Sequence, residues 1–68
     1  MEKSFIVDEY NTRTGYETQG EEFETYEEAL KRFTTYVRFE DFDYRCDVMR
    51  LYSLDENGDV ELLEKVTH

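Results

Sequence analysis

Sixty-eight residues make one domain with one small core, since folded domains rarely fall below about 50 residues. Eighteen Asp and Glu against eight Lys and Arg leave a net charge of −10, which disfavours direct binding to nucleic acid or to an anionic membrane surface. The longest apolar runs, Phe5-Ile6-Val7 and Leu62-Leu63, fall far short of the roughly 20 residues that cross a bilayer or the roughly 7–15 of a signal peptide, so the chain reads as soluble and cytoplasmic.

The first element is a strand over Ser4 to Tyr10, β-branched and aromatic with apolar neighbours on both sides of the pleat, the pattern of a central strand. Asn11 to Gly15 supplies turn residues, and Tyr16-Glu17-Thr18-Gln19 is expected to return as a short second strand before Gly20. Thr25 followed by Glu28 is a capping box that starts a helix at Tyr26. Tyr26, Leu30, Phe33 and Val37, flanked by Ala29 and Tyr36, recur at helical spacing and make one apolar stripe. Glu27 with Lys31 and Glu28 with Arg32 are expected to pair at i,i+4. The helix should end near Arg38 or Phe39.

Asp43 to Leu54 and Val60 to Val66 read as the arms of a hairpin turning through Asp55-Glu56-Asn57-Gly58-Asp59. A two-residue Asn57-Gly58 loop would oppose Leu54 to Glu61 and Leu51 to Glu64. A three-residue loop with Gly58 in the left-handed position instead opposes Leu54 to Val60, Tyr52 to Leu62, Arg50 to Glu64 and Val48 to Val66, and is the preferred register. Met49, Leu51 and Leu63 then share the other face, and the pattern leaves open which face the helix covers. The expected fold is α+β: one domain over residues 1–68, a small antiparallel sheet of three or four strands with one helix packed on it, in the order β(β)αββ. Eleven Phe and Tyr residues and no Pro argue for a folded chain over a disordered one.

The residues of catalysis are scarce. His68 is the only histidine and the last residue, where chain ends are usually mobile. Cys46 is the only cysteine, which excludes an internal disulfide, a Cys-x-x-Cys redox pair and a zinc thiolate cage. Beside Tyr44 and Val48 it reads as a small core residue. Asp55-x-Asn57-x-Asp59 imitates the start of a calcium loop, but Val60 and Val66 stand where that loop wants Gly and Glu, so a hairpin turn is the better reading. Gly15, Gly20 and Gly58 are isolated and form no phosphate-binding or dinucleotide motif. No enzyme, metal site or cofactor is expected.

The acids are unevenly placed. Glu17, Glu21, Glu22, Glu24, Glu27 and Glu28 lie in a stretch between Arg13 and Lys31 that holds no base. Glu40, Asp41, Asp43 and Asp47 surround Arg45, and Asp55, Glu56, Asp59, Glu61 and Glu64 lie between Arg50 and Lys65. Alternate residues of a strand sit about 6.6 Å apart on one side, close to the roughly 6–7 Å between neighbouring phosphates of one nucleic-acid strand. Glu22 with Glu24, Asp41 with Asp43 and Asp59 with Glu61 have that spacing if extended, and Glu24 with Glu28 would continue a row around the helix start. Phe42 and Tyr44, interleaved with the second group, would add aromatic anchors that carboxylates cannot supply.

In length, charge and layout the whole chain resembles small acidic phage and mobile-element inhibitors, among them anti-CRISPR and anti-restriction proteins. The resemblance implies a partner that is a basic nucleic-acid-binding protein of the nuclease or CRISPR-effector type, bound in place of DNA. A plainer alternative is an acidic interaction module that uses an exposed sheet face, with the acids serving only solubility. A homodimer is a further partner the composition admits.

Overall fold

The computed structural model describes residues 3–39 and 42–68. Strands β1 (Ser4–Tyr10), β2 (Glu21–Phe23), β3 (Val48–Leu54) and β4 (Val60–Thr67) and helix α1 (Tyr26–Arg38) follow in the order ββαββ. The strands form one antiparallel sheet in the spatial order β2-β1-β3-β4, so β1 is central, as its two-sided apolar pattern requires.

Helix α1 begins and ends where its local signals place it. Thr25 is the N-cap, and its hydroxyl accepts the Glu28 amide at 3.2 Å, an interaction worth about 1 kcal/mol. The Glu28 carboxylate closes the box in a variant way, accepting from the Thr25 hydroxyl at 3.0 Å. The helix buries Ala29 and Phe33 against Val7, Met49 and Leu51, with Phe5, Phe23, Leu30, Tyr36, Val37, Leu63 and Val66 partly buried around them. It therefore covers the Met49/Leu51 face. Tyr26 stays at the margin, edge-on to Phe5 with ring centroids 6.0 Å apart.

The second strand is displaced from its expected place. Tyr16 to Gln19 makes only an isolated bridge, Tyr10 to Glu17, and the regular ladder starts at Glu21, pairing Phe5 with Phe23 and Val7 with Glu21. Two local interactions account for this. The Asn11 side chain accepts the Arg13 and Thr14 amides, and the Thr18 hydroxyl takes the Glu9 amide at 2.9 Å. Gly20 then turns the chain at φ +82, where a Cβ would lie 3.2 Å from the Ile6 side chain and 3.3 Å from that of Asp8. Only glycine lets the backbone pass so close in that conformation.

The hairpin register agrees with the three-residue loop at its tip and departs from it further on. Leu54 opposes Val60 and Tyr52 opposes Leu62, with Gly58 at φ +86 and its amide donating to the Asp55 carbonyl. Beyond Tyr52 the register shifts, so that Leu51 faces Glu64, Arg50 faces Lys65, Met49 faces Val66 and Val48 faces Thr67. The expected pairs Arg50 to Glu64 and Val48 to Val66 do not form. Leu63 is the extra residue of a β-bulge. The gain is apolar burial: the bulge changes the phase of β4, so Val60 and Leu62 stay on the uncovered face while Val66, now opposite Met49, joins Leu63 at the core. Strand β3 is also shorter than expected, because residues 43–47 form a turn in which the Cys46 amide donates to the Asp43 carbonyl.

Candidate functional site: where the carboxylates go

Three arginines are consumed inside the molecule. Arg50 makes a two-pronged pair with Asp8 across β3 and β1, at 2.7 and 3.0 Å, and lies 4.8 Å from the Tyr10 ring and 4.9 Å from that of Tyr52. Asp8 is buried at 6% exposure, so the guanidinium and the two rings roof a desolvated carboxylate. Arg45 pairs with Asp43 at 2.9 Å and holds that carboxyl below its usual range by hydrogen bonds from side chain and backbone. Arg32 reaches Glu21 at 3.2 Å, and the Tyr36 hydroxyl donates to the same oxygen.

The expected pairs Glu27 with Lys31 and Glu28 with Arg32 are absent among the described residues. Arg32 turns instead to the β2 carboxylate of Glu21, which also accepts the Tyr36 hydroxyl. The Tyr36 hydrogen bond is the main reason the Glu21 pKa is lowered, against the opposing effect of burial. Asp47 is lowered in the same way by the Thr12 hydroxyl and amide.

These three lowered carboxylates set an acid limit. A carboxyl whose folded pKa is below its unfolded value stabilises fully above the unfolded value, near 4, and loses that contribution as pH falls through the folded one. Urea midpoints are expected to hold or rise slightly from pH 7 to 5, as self-repulsion is relieved, and to drop below about pH 4. A midpoint still rising at pH 3 contradicts this.

His68 is held in place by three contacts. The His68 imidazole stacks on Phe42 with centroids 3.7 Å apart, its Nε2 lies 3.5 Å from a Glu9 oxygen, and its amide donates to the Asp47 carbonyl at 2.8 Å. Glu9 also accepts the Asp43 amide at 3.2 Å. Glu9, Glu21, Asp43, Tyr36 and Phe42 border an open depression of about 360 Å³. Each of these carboxylates is engaged within the protein, so the depression reads as a structural clasp. Among the described residues no three His, Cys, Asp or Glu side chains gather as a metal site. Cys46 is buried, and burial foremost pushes its thiol pKa up, the opposite of what a nucleophile needs.

The other expected partner-binding residues divide by position. Glu40 and Asp41 lie outside the described residues. Asp43 is paired and Phe42 is half-buried on His68, whereas Tyr44 is 93% exposed. Glu17 sits beside β1, its charge bearing on Arg50 and Tyr52. Glu22, Glu24, Glu27 and Glu28 gather at the corner where β2 runs into α1, all exposed. Glu22 belongs to the strand but the chain bends at Glu24, so no continuous strand carries that row. Glu22 and Glu24, with Lys3, Phe5, Phe23 and Thr25, border an open groove of about 870 Å³. Glu22, Glu24 and Glu27 have no ion-pair or hydrogen-bonded partner among the described residues. Asp59 lies in the β3–β4 turn, where its amide donates to Asp55, and Glu61 lies on β4.

The Asp8–Arg50 pair with its two tyrosines was not read from the sequence. The signal was there, Asp-x-Tyr on β1 and Arg-x-Tyr on β3, but it acquires meaning only once Asp8 is known to oppose Arg50. No helix among the described residues is long and apolar enough to cross a membrane. No protein-family model, curated protein or solved structure matches the chain.

Proposed function

We propose that this chain is a non-enzymatic binding protein, an acidic inhibitor of the anti-CRISPR or anti-restriction kind that occupies the basic nucleic-acid-binding surface of a nuclease or CRISPR effector. The observation that carries this reading is the β2–α1 corner: Glu22, Glu24 and Glu27 are exposed and unpaired among the described residues, while Arg32 of α1 is taken by Glu21. Acids that only balanced neighbouring bases would be paired. These are left facing water on a strand, the bend after it and the first turn of a capped helix, so their charge reaches a cationic partner at long range and raises the encounter rate.

Competition for DNA tests the proposal. Purified CRISPR effector and restriction nucleases, each holding labelled duplex, are titrated with the protein at low salt. The chain is expected to displace duplex from at least one of them. Glu22→Lys/Glu24→Lys/Glu27→Lys should need at least about tenfold more protein, since close charge pairs across an interface couple by roughly 1.5 kcal/mol or more. Equal displacement by both proteins, or none by either, contradicts it.

A further inference from the structure

We propose that the uncovered face of the sheet docks a basic amphipathic helix of a partner protein. The inference rests on reading the chain as a binding protein and adds the chemistry of what it binds. Opposite α1, the sheet presents Ile6, Tyr10, Tyr52, Leu54, Val60 and Leu62 on one side. Val60 is 62% and Leu62 55% exposed. A soluble domain gains nothing from leaving two aliphatic side chains side by side in water, whereas a contiguous apolar surface with a polar border is a common mark of an interaction site.

The face has a gradient of charge. Its centre is neutral, because the Arg50 guanidinium is matched by Asp8 and lies against two tyrosine rings. The β3–β4 half is apolar at Tyr52, Leu54, Val60 and Leu62, with Lys65 beyond them opposite Arg50. The β2 border is acidic: Glu22, opposite Ile6, points to the same side, and Glu17 bridges to Tyr10 there. A matching ligand therefore has an apolar stripe flanked on one side by Lys or Arg, as on a basic amphipathic helix. The thirteen residues of α1 already span the opposite face, and a second helix of similar length would make the sheet the middle of three layers.

A second copy of the chain fits less well. Two molecules of net charge −10 repel, and the β4 edge is poorly suited to pair with itself. Its bulge puts Val60 and Leu62 on one face and Val66 on the other, so an antiparallel edge-to-edge pairing centred on Leu63 would set residues of opposite faces against each other.

Isotope-labelled protein is titrated with a synthetic 18-residue Leu/Lys amphipathic helix and with a scrambled peptide of the same composition, and amide shifts are mapped. The helix is expected to perturb Ile6, Tyr52, Leu54 and Leu62. Val60→Thr/Leu62→Ser, two exposed changes that leave the core intact, should weaken it at least about tenfold. Equal binding of the scrambled peptide, shifts confined to the β2–α1 corner, or dimers that depend on Val60 and Leu62 overturn the inference. Helix binding that needs Val60 and Leu62, in a protein that displaces no nucleic acid, leaves this inference standing and removes the inhibitor reading. Displacement of nucleic acid that is unchanged in the Val60/Leu62 variant, together with no helix binding, does the reverse.

Discussion

Leu51→Ala is expected to leave the protein largely unfolded at 25 °C, while Leu62→Ala is expected to be nearly silent. Both leucines lie in the β3–β4 hairpin and look alike in sequence. Leu51 is fully buried between α1 and the sheet, whereas Leu62 is 55% exposed on the far side. Emptying a buried leucine site costs about 2–5 kcal/mol, the lost transfer free energy plus the cavity left behind. A domain of this size has a margin of only roughly 3–5 kcal/mol and has no disulfide to help. Truncating Leu62 removes contacts that are already half in water and should cost under about 1 kcal/mol. Urea titration by circular dichroism reads both. Equal losses would mean that the helix does not select the Met49/Leu51 face.

Asp8→Ala is the second severe change. It strands the Arg50 guanidinium between Tyr10 and Tyr52 without its carboxylate, and breaking one side of a buried pair costs about 3–5 kcal/mol. Arg50 retains 31% side-chain exposure, so water can reach it and the lower end of that range applies. Adding Arg50→Met should recover most of the loss, because the pair's worth is small once both charges are gone. Asp43→Ala, by contrast, opens a pair whose arginine is 51% exposed and should cost far less than Asp8→Ala, because water already solvates that guanidinium. A double variant as unstable as Asp8→Ala alone would show that the cost lies in lost packing and not in a stranded charge.

The parts of the fold that were legible in the sequence are those decided by neighbours. Thr25, Glu28 and the stripe through Phe33 settle α1 within its own residues, and Asp55 to Asp59 settles the turn of the hairpin. The parts that were not legible depend on partners distant in the chain. Leu63 bulges because Val66 must reach a core set by Val7 and Phe33. The second strand waits for Phe23 because Thr18 has already satisfied the Glu9 amide. The same division holds for the charges. Counting found the excess, but whether an acid is spent or offered depends on what lies across the sheet or helix: Glu21 is taken by Arg32 and Tyr36 while its neighbour Glu22 faces water.

Carboxylates that are presented and not consumed make binding salt-dependent, and the salt dependence of binding measures that directly. For the nuclease identified in the competition experiment of the proposed function, the dissociation constant is measured from 50 to 400 mM salt for the native chain and for Glu22→Gln/Glu24→Gln/Glu27→Gln. The native affinity is expected to fall steeply with salt, and the triple variant to bind more weakly with a clearly shallower slope, because fewer counterions leave the partner on binding. Identical slopes and affinities for the two proteins would contradict the account.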